Sequence, residues 1–178
     1  IEHSGVSIHS LKILSIVSRN SKSFYLALLD FIMLTPEGEK LPRCIVLRGD
    51  TVVIVPLIRC IDKNKIFTLM VQQRRIIDGR NSLEFPAGMV DNNLSDPVLS
   101  AIKEVKEELG INVKVKSMRL LTNEPFNVCE SLMDEHVNIY SFTKEMTYES
   151  LVKFDNKSSG VVEDGELIII NLISIEQA

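Results

Sequence analysis

The chain has 178 residues, of which 45% are hydrophobic and 25% are charged, and its formal net charge is −4. These values are typical of a globular protein, and the length is sufficient for one domain with a sizeable core. The chain is acidic and shows no basic stripe with interleaved aromatic residues. We therefore do not expect nucleic acid as a partner. We expect a small molecule instead.

The longest apolar runs, at residues 52–58 and 167–170, are far shorter than the roughly 20 residues that a membrane-spanning helix needs. We therefore expect no membrane partner. The three cysteines are widely spaced, which favours reduced thiols and a cytoplasmic compartment over a disulfide framework. The chain begins at Ile1 without a recognisable signal peptide, and the earlier removal of a targeting segment stays an open alternative.

Strand-forming residues dominate the chain up to residue 48. Residues 23–33 and 44–47 predict two strands that are separated by a Pro-Glu-Gly turn. The continuous apolar run at 52–58 predicts a strand that is buried on both faces. Alternation over 66–71 predicts a further strand that pairs with it as a hairpin.

The best-marked element lies between residues 96 and 110. Asp96 suits the N-cap of a helix, Pro97 suits its first position, and Gly110 suits the left-handed residue after its end. Apolar residues recur at steps of three and four, which predicts a core-facing stripe. Upstream, the sequence LEFPAG predicts the end of a strand followed by a glycine-containing loop.

Three glutamates share one face of this predicted helix. Glu104, Glu107 and Glu108 stand at positions i, i+3 and i+4, where like charges weaken a helix by roughly a few tenths of a kcal/mol per pair. Such a face is most often only a solvated surface. A hard cation would turn the repulsion into a binding site, because Mg²⁺ prefers carboxylate oxygens, retained waters and phosphates.

Residues 103–111, KEVKEELGI, resemble the end of the Nudix box, G-x5-E-x7-R-E-U-x-E-E-x-G-U, where U is a bulky aliphatic residue. With LEFPAGMVD upstream, the segment is similar to the box of the ADP-ribose and nucleotide-sugar diphosphatases, and in detail to the plant ADP-sugar diphosphatases. The resemblance implies an α/β sandwich with a mixed sheet between helices. It also implies one domain, with residues 1–48 as an N-terminal β-extension that forms a homodimer and residues 49–178 as the catalytic core.

Two features depart from the family pattern. Lys103 stands where the pattern has arginine, and the spacing from Gly88 to Lys103 is one residue longer. The first glutamate of the pattern falls at Leu94 when counted forward and at Ser95 when counted backward, and the nearest acid is Asp96. The missing glutamate supports one alternative, a Nudix fold that binds a nucleotide sugar without hydrolysing it.

The function that the resemblance implies is Mg²⁺-dependent hydrolysis of a nucleoside diphosphate sugar, such as ADP-ribose or ADP-glucose, to a nucleoside monophosphate and a sugar phosphate. Mn²⁺ is expected to substitute for Mg²⁺. The metal ligands would be Glu104, Glu107, Glu108 and the carbonyl of Ala87, and the Glu107 and Glu108 carboxylates are also expected to be catalytic. UDP-sugars, dinucleoside polyphosphates, oxidised nucleotides and coenzyme A are the alternative substrates. The LEFPAGMVD form, which resembles the sugar-diphosphatase boxes, argues against the last two.

Residues 122–133 predict a loop before a strand at 137–142. In the resembling family, an acid at the end of this loop often serves as the general base, and Glu135 matches best, ahead of Asp134 and Glu130. Guanidinium groups bind phosphate oxygens in a bidentate fork, although exposed arginines at strand ends are also common without a ligand. The residues that we assign to substrate binding are Arg48, Arg74, Arg75, Arg80 and Glu84.

The last part of the chain gives weaker signals. Alternation around Val113 and Val115 predicts a strand over residues 112–121. Residues 144–153 suit a short helix, and residues 156–160 suit a flexible polar link. Ser174 suits the start of a further helix.

Overall fold

The computed structural model describes residues 5–20, 23–75, 78–91, 94, 96–161 and 167–177, so the predicted glutamate position at Ser95 lies outside the described residues. The chain divides into two compact units. The first comprises Ile1–Asp50 and Phe126–His136, and the second comprises Thr51–Pro125 and Val137–Ala178. Of the helices within the described ranges, none combines the length and the apolarity needed to cross a bilayer.

The first unit contains an antiparallel sheet of three strands in the order β1, β2, β3. They span Ser7–Asn20 (β1), Ser23–Leu34 (β2) and Lys40–Leu47 (β3). The prediction of β-structure before residue 48 is therefore confirmed. The unit also holds a two-residue strand, β9 (Phe126–Asn127).

An apolar stripe lies on one face of β1. Ile13 pairs with Leu29, and after a register shift Ile16 pairs with Ala27, so the bulge keeps both isoleucines on one face together with Leu11. Leu29 is 7% exposed and Ala27 is 4% exposed, whereas Leu11, Ile13 and Ile16 are 52%, 54% and 58% exposed. The strand therefore presents apolar side chains that its own sheet does not cover.

The second unit is built on a mixed sheet that follows the path β11-β12-β5-β4-β10-β8. Strand β10 runs parallel to β4, whereas β5 is antiparallel to both β4 and β12. The α/β fold class with a mixed sheet is therefore as predicted. The strands of this sheet are β4 (Thr51–Cys60), β5 (Lys65–Arg74), β6 (Asn81–Glu84), β7 (Ala87–Met89), β8 (Met118–Leu120), β10 (His136–Met146), β11 (Ser158–Ser159) and β12 (Ile168–Ser174).

The hairpin of β4 and β5 is paired only next to its turn, where Ile58 lies opposite Phe67 and Cys60 opposite Lys65. Beyond that point each strand takes a different partner, because β6 pairs with β5 and β7 pairs with β4. The short connection between β6 and β7 is tied to β4 by the N–H of Ile54, which donates to the carbonyl of Pro86 at 2.8 Å. The segment from β6 to β7 thus lies between β5 and β4 where these two strands separate, and we call it the wedge.

The predicted helix is confirmed at both ends as α1 (Pro97–Leu109). The Asp96 carboxylate accepts the N–H of Val98 at 2.9 Å, and Gly110 adopts a left-handed φ of 69°. The apolar stripe of α1 is buried against β4 and β12, in one core that also contains residues of β5. Its members with exposure of 8% or less are Val98, Ala101, Val105 and Leu109.

Of the remaining predictions of secondary structure, some were confirmed and others were wrong. The short helix predicted over residues 144–153 is confirmed as α2 (Tyr148–Leu151). The strand predicted over residues 112–121 was wrong for most of its length, because Val115–Ser117 forms a 3-10 turn and only β8 is extended. Val113 packs against the core because it lies just past the end of α1, so its apolar character reflects the helix exit rather than a strand.

Two further expectations near the end of the chain were also wrong. Ser174 ends β12 instead of beginning a helix. The segment 156–160 was expected to be a flexible link, but it contains β11, whose Ser158 pairs with Ile169. A two-residue strand at a sheet edge has too few residues to show alternation, so the sequence pattern could not indicate it.

Candidate active site

The acidic face of α1 contacts strand β7. Glu108 is only 3% exposed, and its Oε2 accepts the N–H of Ala87 at 3.2 Å. The Glu104 carboxylate lies against Gly88, where an added Cβ would be 2.7 Å from Oε2 and would overlap the rest of the carboxylate. Glycine is therefore required at position 88 for Glu104 to approach the backbone this closely.

The donor chemistry of these residues fits a hard divalent cation, since carboxylate oxygens and a backbone carbonyl are the ligands that Mg²⁺ takes. A carboxylate as buried as that of Glu108 also benefits strongly from a cationic partner. Among the residues that the structure describes, however, no group of three or more His, Cys, Asp or Glu side chains is close enough to hold a metal ion. The assignment of Ala87, Glu104, Glu107 and Glu108 as ligands therefore stays a prediction.

Two of the residues assigned to substrate binding pair with each other. Arg75 Nε donates to Glu84 Oε1 at 2.8 Å, and Arg75 Nη2 makes a second hydrogen bond to Glu84 Oε2. This fork from Arg75 holds the pKa of Glu84 below its ordinary value, against the opposing effect of partial burial. The pair joins the end of β5 to β6 and fixes the plane of the guanidinium.

The other arginines of this region lie close by in different surroundings. Arg74 Nε donates to the carbonyl of Gly79 at 2.8 Å, and the Arg80 side chain is 85% exposed. A groove of about 350 Å³ brings Arg80 and Arg75 together. A second cavity of about 480 Å³, where β5 meets β11 and β12, is lined by Arg74 instead.

Within the first unit, the predicted base Glu135 is 7% exposed and pairs with Arg48, whose Nη1 lies 2.9 Å from Oε2. The sequence assigned Arg48 to substrate binding, and in the structure its guanidinium contacts this carboxylate. Asp134 Oδ1 accepts the backbone N–H of Arg48 at 2.7 Å. Glu130, the remaining candidate base, is exposed.

One contact of the acidic helix was missed from sequence. The hydroxyl of Ser159 in β11 donates to the carbonyl of Glu107 at 3.1 Å, so it satisfies a backbone acceptor in the last turn of α1. The two residues are 52 positions apart, and a serine in a polar stretch carries no signal of such a role. The contact anchors the part of the helix that bears Glu107 and Glu108.

Comparison with known proteins gives the class to which this fold and this acidic helix belong. The family model described as NUDIX domain matches residues 48–177, so the chain belongs to the Nudix family. The chain is similar to "Nudix hydrolase 14, chloroplastic" of Arabidopsis thaliana, with 29% identity over 143 residues. That match covers 76% of this chain and 46% of the relative, so the chain spans less than half the length of that protein.

Among solved structures, the chain is similar to a crystal structure of an ADP compounds hydrolase. The TM-score is 0.60 at 15% sequence identity, and the match covers 96% of this chain and 81% of the other. At this identity the likeness concerns the fold. It agrees with the α/β architecture and mixed sheet described above.

Proposed function

We propose that this protein is a Mg²⁺-dependent hydrolase that cleaves the diphosphate bond of a nucleoside diphosphate sugar of the ADP-ribose or ADP-glucose type. The products are a nucleoside monophosphate and a sugar phosphate. The observation that carries the proposal is the set of three glutamates on α1, with Glu104 and Glu108 held against Ala87 and Gly88. Family membership supports the reaction class. The similarity to an ADP compounds hydrolase supports an ADP-containing substrate.

The proposed metal ligands are Glu104, Glu107, Glu108 and the carbonyl of Ala87. If these residues held a divalent ion, the chemistry supplied would be neutralisation of the diphosphate charge and a more acidic water. The protein's own contribution is to fix the carboxylates. The N–H of Ala87 orients Glu108, and Gly88 leaves room for Glu104, so these side chains need little reorganisation.

For proton transfer we propose Glu135 as the general base that takes a proton from the attacking water. Arg75 and Arg80 are proposed to bind phosphate oxygens from the groove that they share, and Arg74 from the adjoining cavity. Glu84 accepts two hydrogen bonds from Arg75 and thereby fixes the plane of its guanidinium.

We further propose that residues 1–48 form the interface of a homodimer and that residues 49–178 form the catalytic core of one domain. The exposed apolar stripe of Leu11, Ile13 and Ile16 supports this assignment, because a second copy would remove it from water. The proposed compartment is cytoplasmic, which the three free cysteines support.

Turnover on a panel of nucleotides with Mg²⁺ tests the proposed function. The panel contains ADP-ribose, ADP-glucose, UDP-glucose, a dinucleoside polyphosphate and coenzyme A, and products are separated by ion-exchange chromatography. We expect AMP and a sugar phosphate from the ADP-sugars at a kcat/KM at least about tenfold above that for the other compounds, a discrimination of about 1.4 kcal/mol. Equal turnover of all five compounds would contradict the substrate class.

The second candidate function is binding of a nucleotide sugar without turnover. It is favoured by Leu94, an apolar residue at the forward-counted position of the first Nudix glutamate, and by the lack of a three-acid group in the described part of the chain. Calorimetric titration with ADP-ribose and Mg²⁺, run beside the turnover assay, separates the two. Tight binding with intact nucleotide recovered afterwards would favour the binding module.

A further inference from the structure

The segment that carries the proposed base is joined to the end of β3 by main-chain hydrogen bonds. The N–H of Val46 donates to the carbonyl of Leu132 at 2.8 Å, and the carbonyl of Val46 accepts the N–H of Asp134 at 3.3 Å. Val46 and Met133 consequently form a parallel bridge. The backbone that leads into Glu135 is thus held by two hydrogen bonds within the first unit.

The Asp134 side chain also holds the backbone that follows β3. Its Oδ1 accepts the backbone N–H groups of Arg48 at 2.7 Å and of Gly49 at 3.3 Å. Gly49 has a left-handed φ of 86°, a conformation that turns successive N–H groups toward one acceptor. Asp134 therefore fixes the backbone from which the Arg48 side chain extends.

Arg48 closes this arrangement by an ion pair with Glu135. Arg48 Nη1 lies 2.9 Å from Glu135 Oε2, and the Glu135 side chain is 10% exposed whereas that of Arg48 is 35% exposed. A guanidinium is planar and rigid, so a hydrogen bond from it restricts the direction in which a carboxylate points. The Asp134 carboxylate therefore holds the backbone of Arg48, and the Arg48 side chain holds the carboxylate of Glu135.

We propose that Arg48 is a positioning residue for Glu135 rather than a phosphate ligand, an inference that rests on the proposed function. Arg48 binds Oε2 of Glu135 and leaves Oε1 to take the proton from the attacking water. Asp134 acts one step further back, through the backbone of Arg48. Loss of Arg48 therefore lowers the rate of the proton-transfer step and leaves substrate binding unchanged.

The test is a set of steady-state measurements with ADP-ribose and saturating Mg²⁺. Arg48→Met is expected to lower kcat about ten- to a hundredfold, which is part of the range for general-base catalysis, with KM within about twofold of wild type. Arg48→Lys is expected to recover part of this loss. In a Glu135→Gln background, Arg48→Met is expected to change kcat by less than about twofold, because residues that act as a unit are not additive.

The matched control is Arg59→Met, which removes an exposed arginine from a pair with Glu145 in which both side chains are more than 60% exposed. Its kcat and KM should equal those of wild type. Thermal unfolding of every variant checks the fold. If Arg48→Met does not fold, Arg48→Lys and Asp134→Asn replace it, and both should lower kcat without raising KM.

Two results would overturn the inference while the proposed function stands. One is a tenfold or larger rise in KM at unchanged kcat in Arg48→Met, or in its two substitutes, which would make Arg48 a phosphate ligand. The other is an additive loss of kcat in the double variant, which would show that Arg48 does not act through Glu135. If the wild-type protein does not hydrolyse ADP-ribose, the proposed function fails, and the inference fails with it.

Discussion

The carboxylate of Glu108, which is 3% exposed, accepts the backbone N–H of Ala87 at 3.2 Å. The contact joins residues 21 positions apart and ties the last turn of α1 to the start of β7. A surface glutamate has water to satisfy its oxygens, whereas this one has a backbone donor inside the protein. The orientation of the carboxylate is therefore set by the sheet as well as by the helix.

Neutralising either of the adjacent glutamates tests whether the acidic face is functional. Glu107→Gln and Glu108→Gln should each lower kcat by at least about a hundredfold, since each removes a carboxylate proposed to bind the metal. The fold should persist, because the glutamine amide oxygen still accepts the N–H of Ala87 and the like-charge repulsion falls. Glu149→Gln, which changes a side chain that is 85% exposed, is the control. Near wild-type turnover in both variants would reduce the acidic face to a solvated surface.

Removal of divalent metal is the second test. Hydrolysis of ADP-ribose should stop in EDTA and return when Mg²⁺ or Mn²⁺ is added in excess, because the water is acidified only by a bound ion. Circular dichroism in EDTA should show an unchanged fold, since the described core is built from apolar side chains. Undiminished turnover in chelator would rule out the metal mechanism.

Gly88→Ala tests the close approach of Glu104 to β7. The added methyl group would overlap the Glu104 carboxylate, which must then move. We expect at least about a tenfold loss of kcat. We also expect weaker binding of Mg²⁺, measured as a higher metal concentration for half-maximal activity. Gly38→Ala is the matched control, because position 38 has φ of 86° but open space around a Cβ. It should cost about 1 kcal/mol of stability and leave kcat unchanged. Equal kinetics in the two variants would contradict the proposed role of Gly88.

The ion pair of Arg75 and Glu84 predicts a pH dependence of stability. The pKa of Glu84 is lowered in the folded state, so the pair stabilises the protein above the ordinary pKa of glutamate, about 4.3. That stabilisation is lost as the pH falls through the lower, folded-state pKa. In urea unfolding, Glu84→Gln should be less stable than wild type at pH 7. This difference in the free energy of unfolding should disappear once the pH falls below the folded-state pKa of Glu84. Glu145→Gln, with a 62% exposed side chain, should show no such difference at any pH.

The apolar stripe on β1 predicts how substitutions in this strand change the oligomeric state. Ile13→Lys should convert a homodimer into a monomer in light scattering, because a charge in a buried apolar interface is costly. Lys12→Gln, also on β1, changes charge at a residue outside the stripe and should leave the mass unchanged. A wild-type protein that is monomeric at micromolar concentration would contradict the dimer.

Local sequence signals were sufficient to predict helix α1, but they could not predict contacts between residues far apart in the chain. Asp96, Pro97 and Gly110 each act within one turn of the residue that they cap, so a single sequence was sufficient to place both ends of α1. The pairing of Arg48 with Glu135 spans 87 positions, and no pattern within either segment indicates it. The sequence assigned Glu135 to catalysis and Arg48 to substrate binding, because an arginine at a strand end suits a phosphate and a carboxylate equally well.

The wedge formed by β6 and β7 has a consequence for how such chains are recognised. Gly88 is fixed by the pairing of β7 with β4, and Glu104 is fixed by the cap of α1 at Asp96. The interval from Gly88 to Lys103 is one residue longer than the family pattern, and the connection at residues 90–96 is the part of it that lies outside β7 and α1. The length of that connection can therefore change while the relation of Gly88 to Glu104 is retained. A search that demands a fixed spacing would reject chains in which the two anchors are intact.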